Sequence, residues 1–148
     1  MTKAEKIEIN GHDKGVFSVI VLGVVYDPAK KKILIGKRSD DPDVPKLSWC
    51  FPGGRPEYDE ELEKAVKREI KEETGLEVES LGVIHAKRYP EKRDFLAIYY
   101  LCESLNPEKD LEPGDNFSEL KWVNPEELEK YFTTSFHPKL KEYIMNLK

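Results

Sequence analysis

The sequence predicts an α/β (α+β) fold, an α/β/α sandwich in which helices cover both faces of a central mixed sheet. Three observations support this fold class: a nearly continuous apolar run early in the chain, one long amphipathic helix in its middle, and two helical segments near its end. The 148 residues are within the size range of one domain. We therefore expect a single domain spanning residues 1–148.

Three segments in the first half of the chain are apolar and bounded by turn-forming residues, as strands are. They are residues 16–26, 33–38 and 49–52. The first (VFSVIVLGVVY) is rich in β-branched residues and almost continuously apolar, which is typical of a strand buried on both faces. Residues 39–48 are rich in proline and aspartate and are expected to form a loop. Gly53 and Gly54 are expected to end the third strand.

Residues 59–74 have the spacing of an amphipathic helix. Asp59 is a candidate cap at its start, and Gly75 is expected to end it in a left-handed conformation. The remaining elements are predicted by the same rules. They are strands at residues 77–89, 94–103 and 119–123, a turn at residues 90–93, and helices at residues 125–132 and 138–147.

The chain carries a formal net charge of −5, whereas proteins that bind the backbone of DNA or RNA usually carry a basic face. A nucleic-acid polymer is therefore not expected as a partner, although a bound divalent cation lets an acidic pocket attract a small nucleotide. Residues 1–15 lack the apolar core of a signal peptide, and residues 16–26 are too short to span a bilayer. We expect no membrane association and a cytoplasmic location. Cys50 and Cys102 lack metal-ligand spacing and are expected to be reduced core thiols.

The predicted central helix carries acids on the face that it has to bury. On a helical wheel Glu69 and Glu73 fall within about 20° of Leu62, among the apolar residues, and Glu72 lies at the edge of this face. The opposite, polar face consists of Lys64, Lys67, Lys71 and Thr74. Buried acids have to be protonated, paired with a basic residue or bound to a cation. Carboxylates at one end of a helix suit a hard cation such as Mg²⁺ or Mn²⁺; the alternative is a solvated acidic helix end.

The segment around this helix resembles the Nudix box, G-x5-E-x7-R-E-U-x-E-E-x-G-U, where U is an aliphatic residue. Every specified position of the pattern is matched. The matching residues are Gly54, Glu60, Arg68, Glu69, Ile70, Glu72, Glu73, Gly75 and Leu76. The resemblance implies the Nudix fold with its catalytic loop-helix-loop. It also implies a hydrolase that cleaves a diphosphate linkage in a nucleotide, with Mg²⁺ or Mn²⁺ as cofactor.

The resemblance further implies roles for individual residues. The implied metal ligands are Glu69, Glu72, Glu73, a backbone carbonyl near Gly53 and, as an outer ligand, Glu57, for which the alternative is a plain surface residue. Arg68 would hold the acids in place, and Glu60 would fix the loop. Gly53 and Gly54 would let the backbone approach the metal or the phosphates closely.

The implied reaction is attack of water on a phosphorus atom, and one carboxylate has to accept the proton. Glu69 is the candidate within the box. Some members of the family use an acid from a later loop, for which Glu119 is the best match, as a base or as an additional ligand. Glu112 and Asp115 compete with it, and the structural alternative for Glu119 is an exposed acid at the start of a strand.

Arg38 and Arg55 are candidate phosphate contacts, because a guanidinium can bind two oxygens at once; the alternative for each is an ordinary surface residue. The histidines and several aromatic residues are expected to be structural. They are His12, His85, His137, Trp49, Tyr99 and Tyr100. Stacking of Trp49 or of one tyrosine on a base is the functional alternative.

The box defines the bond that is cleaved and leaves the attached group open. A small chain with little beyond the core favours a nucleoside triphosphate, oxidised ones included, as the small nucleotide substrate. Pro90 favours ADP-ribose or another nucleotide sugar as the alternative. A non-catalytic nucleotide-binding module would have lost box glutamates, and an isoprenoid diphosphate isomerase would need further groups around its substrate. A monomer or a homodimer is expected.

Overall fold

The computed structural model describes residues 5–9, 12–38, 48–90, 92–132 and 136–147. The elements of this part of the chain are β1 (Glu5–Ile9), β2 (His12–Val16), β3 (Ser18–Asp27), β4 (Lys32–Lys37), β5 (Trp49–Cys50), β6 (Gly53–Gly54), α1 (Leu62–Thr74), β7 (Val78–Tyr89), β8 (Lys92–Ser104), β9 (Glu119–Val123), a 3-10 turn (Pro125–Glu127), α2 (Leu128–Tyr131) and α3 (Pro138–Met145). Of the loop predicted at residues 39–48, residues 39–47 lie outside the described ranges.

A mixed sheet positions the other elements. In the described ranges it has seven strands, with the order β5-β4-β3-β8-β7, and β6 pairs with β3 while β9 pairs with β4. β3 and β8 are parallel, with Val21 opposite Ile98. The remaining pairs of this sheet are antiparallel. The predicted mixed sheet is therefore confirmed.

Helices cover both faces of this sheet. Because side chains alternate along a strand, Val21 and Val25 of β3 point to one face and Val24 and Tyr26 to the other. The first face packs against Ala65, Val66 and Ile70 of α1. The second packs against Leu128 of α2 and Leu140 and Ile144 of α3. This confirms the α/β/α sandwich and explains why β3 is apolar at nearly every position.

Cys102 lies in β8 and contributes to the core on the α1 side. Burial raises the pKa of its thiol to about 12, as expected of an unreactive core cysteine. None of the helices in the described part of the chain is long and apolar enough to cross a membrane.

The start of α1 was predicted wrongly, whereas its end was predicted correctly. The helix begins at Leu62, and Asp59 lies in the turn before it. That turn is closed by the N–H of Glu60, which donates to the carbonyl of Glu57 at 3.1 Å. Gly75 ends the helix with a φ of 78°, and its N–H donates to the carbonyl of Lys71.

The prediction that Thr74 lies on the polar face of the helix is also wrong. Its side chain is fully buried. The hydroxyl donates to the carbonyl of Ile70 at 2.6 Å and accepts the N–H of Leu76 at 3.1 Å. The chain turns over the end of the helix at this point, so a helical wheel does not describe the surroundings of its last residue.

Two further features differ from the prediction. Gly53 and Gly54 form β6, with Gly53 opposite Leu22 of β3, because the backbone pairs with the sheet after the bend at Pro52. The expected strand at residues 16–26 begins at Ser18, since Val16 ends β2 of a separate hairpin, β1–β2.

Candidate active site

Arg68 connects the acids of the predicted cluster. Its Nε and Nη2 donate to the two carboxylate oxygens of Glu60 at 2.7 and 2.8 Å. Its Nη1 donates to Glu69 at 3.1 Å and reaches both oxygens of Glu72, one helical turn away, at 3.3 Å. Nη2 also lies 3.4 Å from the carbonyl oxygen of Arg55, so a single guanidinium joins α1 to the loop before it.

The ion pair with Glu60 fixes the charges of both groups. The hydrogen bond from Arg68, supported by the backbone N–H of Glu57, lowers the pKa of Glu60 to about 2. The same hydrogen bond raises the pKa of Arg68 further above its usual range. Both side chains therefore stay ionised at every pH at which the protein is expected to work.

Glu73 is held by two N–H donors from distant parts of the chain. Its Oε2 accepts the backbone N–H of Gly53 and its Oε1 accepts the side-chain amide of Asn116, each at 3.1 Å. The residue is only 4% exposed. Burial raises its pKa to about 7 despite these donors, and the charge of Arg38 lies near enough to oppose the shift.

Glu69 lies against Gly54 of β6. Burial, aided by the charges of Glu72 and Glu60, raises its pKa against the opposing effect of Arg68. A Cβ on Gly54 would stand 2.5 Å from the carboxylate carbon and from Oε2 of Glu69. The backbone and the acid therefore approach this closely only with glycine at position 54.

Gly53 is required for a different close approach. A Cβ there would overlap the carbonyl oxygen of Val21 and would stand 2.8 Å from the Cα of Leu22. Since the N–H of Gly53 also donates to Glu73, the pairing of β6 with β3 places that donor against the acid.

The acids fit a divalent cation in their chemistry, although they are not arranged around one. Across the described ranges, no group of three or more His, Cys, Asp or Glu side chains is close enough to hold a metal ion. The carboxylates of Glu69 and Glu72 instead converge on one cationic nitrogen of Arg68. The side chain of Glu72 is 58% exposed and can rotate away from that nitrogen. Three carboxylates at one helix end supply the oxygen donors that Mg²⁺ prefers.

The remaining predicted residues lie at different distances from this cluster. Arg55 is exposed, and its guanidinium lies 5.3 Å from the ring centre of Phe95. Glu57 is exposed and contacts the cluster through its backbone N–H to Glu60. Glu119 is exposed at the first position of β9, opposite Lys37 of β4, and no described contact connects it to the box glutamates.

Asn116 is the residue that the sequence analysis missed. The sequence pattern favours the acids of the loop before β9, whereas the structure places an amide of this loop against Glu73. Of the two acids that were weighed, Glu112 pairs with Lys109 at 3.7 Å and Asp115 is exposed.

The aromatic residues pack as expected. Tyr99 and Tyr100 are 4% and 3% exposed and lie in the two opposite cores, and Trp49 packs edge-on against Tyr131. The rings of His85 and His137 are 4.5 Å apart. Nδ1 of His137 accepts the N–H of Lys139 and caps α3. His12 lies in β2.

Comparison with known proteins identifies similar chains. The family model described as "NUDIX domain" matches residues 16–145. The nucleoside triphosphatase NudI of Escherichia coli O81 (strain ED1a) is 30% identical over 108 residues, which cover 66% of this chain and 77% of the relative. The MutT protein of Methanosarcina mazei Go1 has a similar structure, with a TM-score of 0.72 at 21% identity over 87% of this chain and 93% of that one. An ADP-ribose pyrophosphatase of Streptococcus suis 89-1591 aligns with a TM-score of 0.58 at 23% identity over 74% of this chain and 75% of that one.

Proposed function

The chain belongs to the NUDIX family of hydrolases, and from this premise we propose its substrate and mechanism. The substrate is a nucleoside triphosphate, oxidised ones included, which is hydrolysed to the monophosphate and pyrophosphate in the presence of Mg²⁺. The observation that carries the proposal is the set of box glutamates joined by Arg68 beside the two glycines of β6.

The choice of substrate is supported by sequence similarity. The relative from Escherichia coli is named a nucleoside triphosphatase, and the alignment with it covers 77% of its length. ADP-ribose is the alternative, supported by Pro90 in the turn after β7. The likeness to the Streptococcus suis protein concerns the fold and does not decide between the two substrates.

Glu69, Glu72 and Glu73 are the proposed ligands of Mg²⁺, at the edge of β6. When bound, the cation supplies charge neutralisation for the diphosphate and lowers the pKa of water. With a cation bound, Arg68 would keep its two short hydrogen bonds to Glu60, and its longer hydrogen bond to the exposed Glu72 would be the one to break.

Proton transfer and substrate binding are assigned to residues at the same edge. Glu69 is the proposed acceptor of the proton from water, because burial raises the pKa of its carboxyl group and makes it a stronger base. Glu119 is the alternative acceptor. Arg38, whose charge acts on Glu73, and Arg55, at the start of the loop, are the proposed contacts of the phosphates.

The proposal is tested by measuring products from nucleoside triphosphates, ADP-ribose, NADH and dinucleoside polyphosphates with Mg²⁺. Wild-type protein should release pyrophosphate from a nucleoside triphosphate. Faster hydrolysis of ADP-ribose would identify ADP-ribose as the substrate instead. Hydrolysis of none of these compounds would favour a nucleotide-binding module.

The metal assignment is tested on the same assay. Glu72→Gln and Glu73→Gln should each lower kcat by about 100-fold or more, because each removes a charged ligand. Glu63→Gln is the matched control, since Glu63 is an exposed acid in the first turn of the same helix. Near-normal Mg²⁺-dependent activity in both ligand variants would refute the assignment. Glu119→Gln should keep wild-type kcat if Glu69 accepts the proton.

A further inference from the structure

The loop that connects β8 to β9 lies across the end of α1. The N–H of Glu112 donates to the carbonyl of Thr74 at 2.9 Å, and the N–H of Gly114 donates to the carbonyl of Glu73 at 3.0 Å. These carbonyls belong to the last turn of the helix, where backbone acceptors have no partner within the helix. The loop therefore takes the place of a continuing helical turn.

Gly114 allows this close approach. A Cβ at that position would stand 2.5 Å from the carbonyl oxygen of Glu72 and 3.1 Å from the Cα of Glu73. Both of these are backbone atoms of the helix, so a side chain on residue 114 could not be accommodated without moving the loop. The contact places the loop against the backbone of Glu72 and Glu73, two of the acids of the site.

The far end of the loop is fixed to the sheet. Phe117 is 6% exposed, and its ring fills the space that a Cβ on Gly36 of β4 would occupy. The N–H of Ser118 donates to the carbonyl of Lys37 at 2.9 Å. Asn116 is therefore positioned between two anchors, one on the helix and one on the sheet.

Asn116 and Gly53 together determine how the Glu73 carboxylate is oriented. Asn116 donates to Oε1 and Gly53 donates to Oε2, each at 3.1 Å, so each oxygen is held by an N–H group from a different part of the chain. The amide has to present its NH₂ group, because its carbonyl oxygen would repel the carboxylate. A neutral donor adds no further negative charge to the three glutamates, whereas an acid at this place would.

We propose that Asn116 is a positioning residue, whose amide holds the Glu73 carboxylate in the orientation that binds the metal ion. The inference rests on the proposed function, in which Glu73 is a metal ligand. It extends the site to the loop before β9, which follows α1 by two long strands. Groups that orient metal ligands in this way typically change metal affinity by about 10- to 100-fold when they are removed.

The test measures binding of Mn²⁺ alone to the substrate-free protein, by calorimetry or by electron paramagnetic resonance. Asn116→Ala and the similarly sized Asn116→Leu should each weaken Mn²⁺ binding by about tenfold or more, with the thermal unfolding midpoint nearly unchanged. Asn106→Ala is the matched control. Asn106 lies on the same loop, and its Oδ1 accepts the N–H of Glu77 at 3.2 Å, so this variant loses a loop anchor without touching Glu73.

Glu73→Gln distinguishes failure of this inference from failure of the proposed function. If Glu73→Gln binds Mn²⁺ as tightly as wild type, Glu73 is not a ligand and the proposed metal site is refuted. If Glu73→Gln loses binding while both Asn116 variants retain it, the metal site stands and the positioning role is refuted. An equal loss in Asn106→Ala would also refute that role, because the effect would then come from loop anchoring in general.

Discussion

Arg68 and Glu60 form two parallel hydrogen bonds, Nε to Oε2 at 2.7 Å and Nη2 to Oε1 at 2.8 Å. This pair ties the loop before α1 to the helix. It also holds one edge of the guanidinium, so that Nη1 points at Glu69 and Glu72. Loop geometry and the arrangement of the acids therefore depend on one ion pair.

The pair predicts a specific loss of stability in acid. The pKa of Glu60 is about 2 in the folded protein, against an ordinary value of 4.5. Its contribution to the free energy of unfolding is therefore complete above pH 4.5 and is lost as the pH falls towards 2. In urea unfolding at pH 7 and pH 3, Glu60→Gln should show a smaller loss between the two pH values than wild type. Glu61→Gln, an exposed neighbour, is the control, and an identical pH dependence of Glu60→Gln and wild type would contradict the prediction.

The raised pKa of Glu73 predicts the opposite pH dependence of stability in the metal-free protein. Its pKa is about 7 when folded and 4.5 ordinarily, so the folded state binds the extra proton between these values. Protonation of Glu73 therefore contributes to the free energy of unfolding. This contribution is complete below pH 4.5 and is lost as the pH rises through 7, by up to about 3 kcal/mol. In EDTA, wild type should lose stability between pH 5 and pH 8.5, and Glu73→Gln should lose much less.

Glu63→Gln is the control for this measurement, because it removes an exposed acid from the same helix. Addition of Mg²⁺ to wild type at pH 8.5 should restore the stability, since a cation compensates the ionised Glu73. An equal change in stability between pH 5 and pH 8.5 for wild type and Glu73→Gln in EDTA would contradict the raised pKa of Glu73.

Gly54→Ala should damage activity more than stability. The added Cβ would stand 2.5 Å from the carboxylate of Glu69, and the mobile end of that side chain can move away. The displaced acid leaves the position in which it acts on the reaction, and a shift of about 1 Å typically costs about 100-fold in rate. Steady-state kinetics should show this loss in kcat, with a thermal unfolding midpoint close to that of wild type. Unchanged kcat would mean that Glu69 acts from a different position.

The buried acids of α1 could be predicted from the sequence, because a helical wheel depends only on local spacing. Glu73 is buried as the wheel predicts, and β3 is buried on both faces as its apolar run predicts. The burial of Thr74 could not be predicted, because its surroundings come from the chain that follows the helix. The contact of Asn116 with Glu73 joins residues that are 43 positions apart, and no local pattern indicates it.

The hairpin β1–β2 was not predicted either, although the sequence carries a local signal for it. Asn10 and Gly11 separate the two strands, and this dipeptide favours the tight turns of two-residue hairpins. The flanking segments are polar and lack the apolar pattern that predicts a strand.

Gly75 gives a prediction in which two physical causes can be separated. Its φ of 78° is unfavourable for residues with a side chain, and a Cβ there would also stand 2.6 Å from Oε2 of Glu112. The Glu112 side chain is 68% exposed and its carboxylate can swing away, and the Cβ of Glu112, 3.1 Å from the added atom, has to move by only a few tenths of an ångström, so backbone strain should dominate. Gly75→Ala should lower the free energy of unfolding by about 1 kcal/mol, and Gly75→Asn by less, because asparagine tolerates this conformation better. In urea unfolding, adding Glu112→Ala to Gly75→Ala should recover little of the loss. Full recovery in that double variant would identify the contact with Glu112, and not the backbone, as the cause.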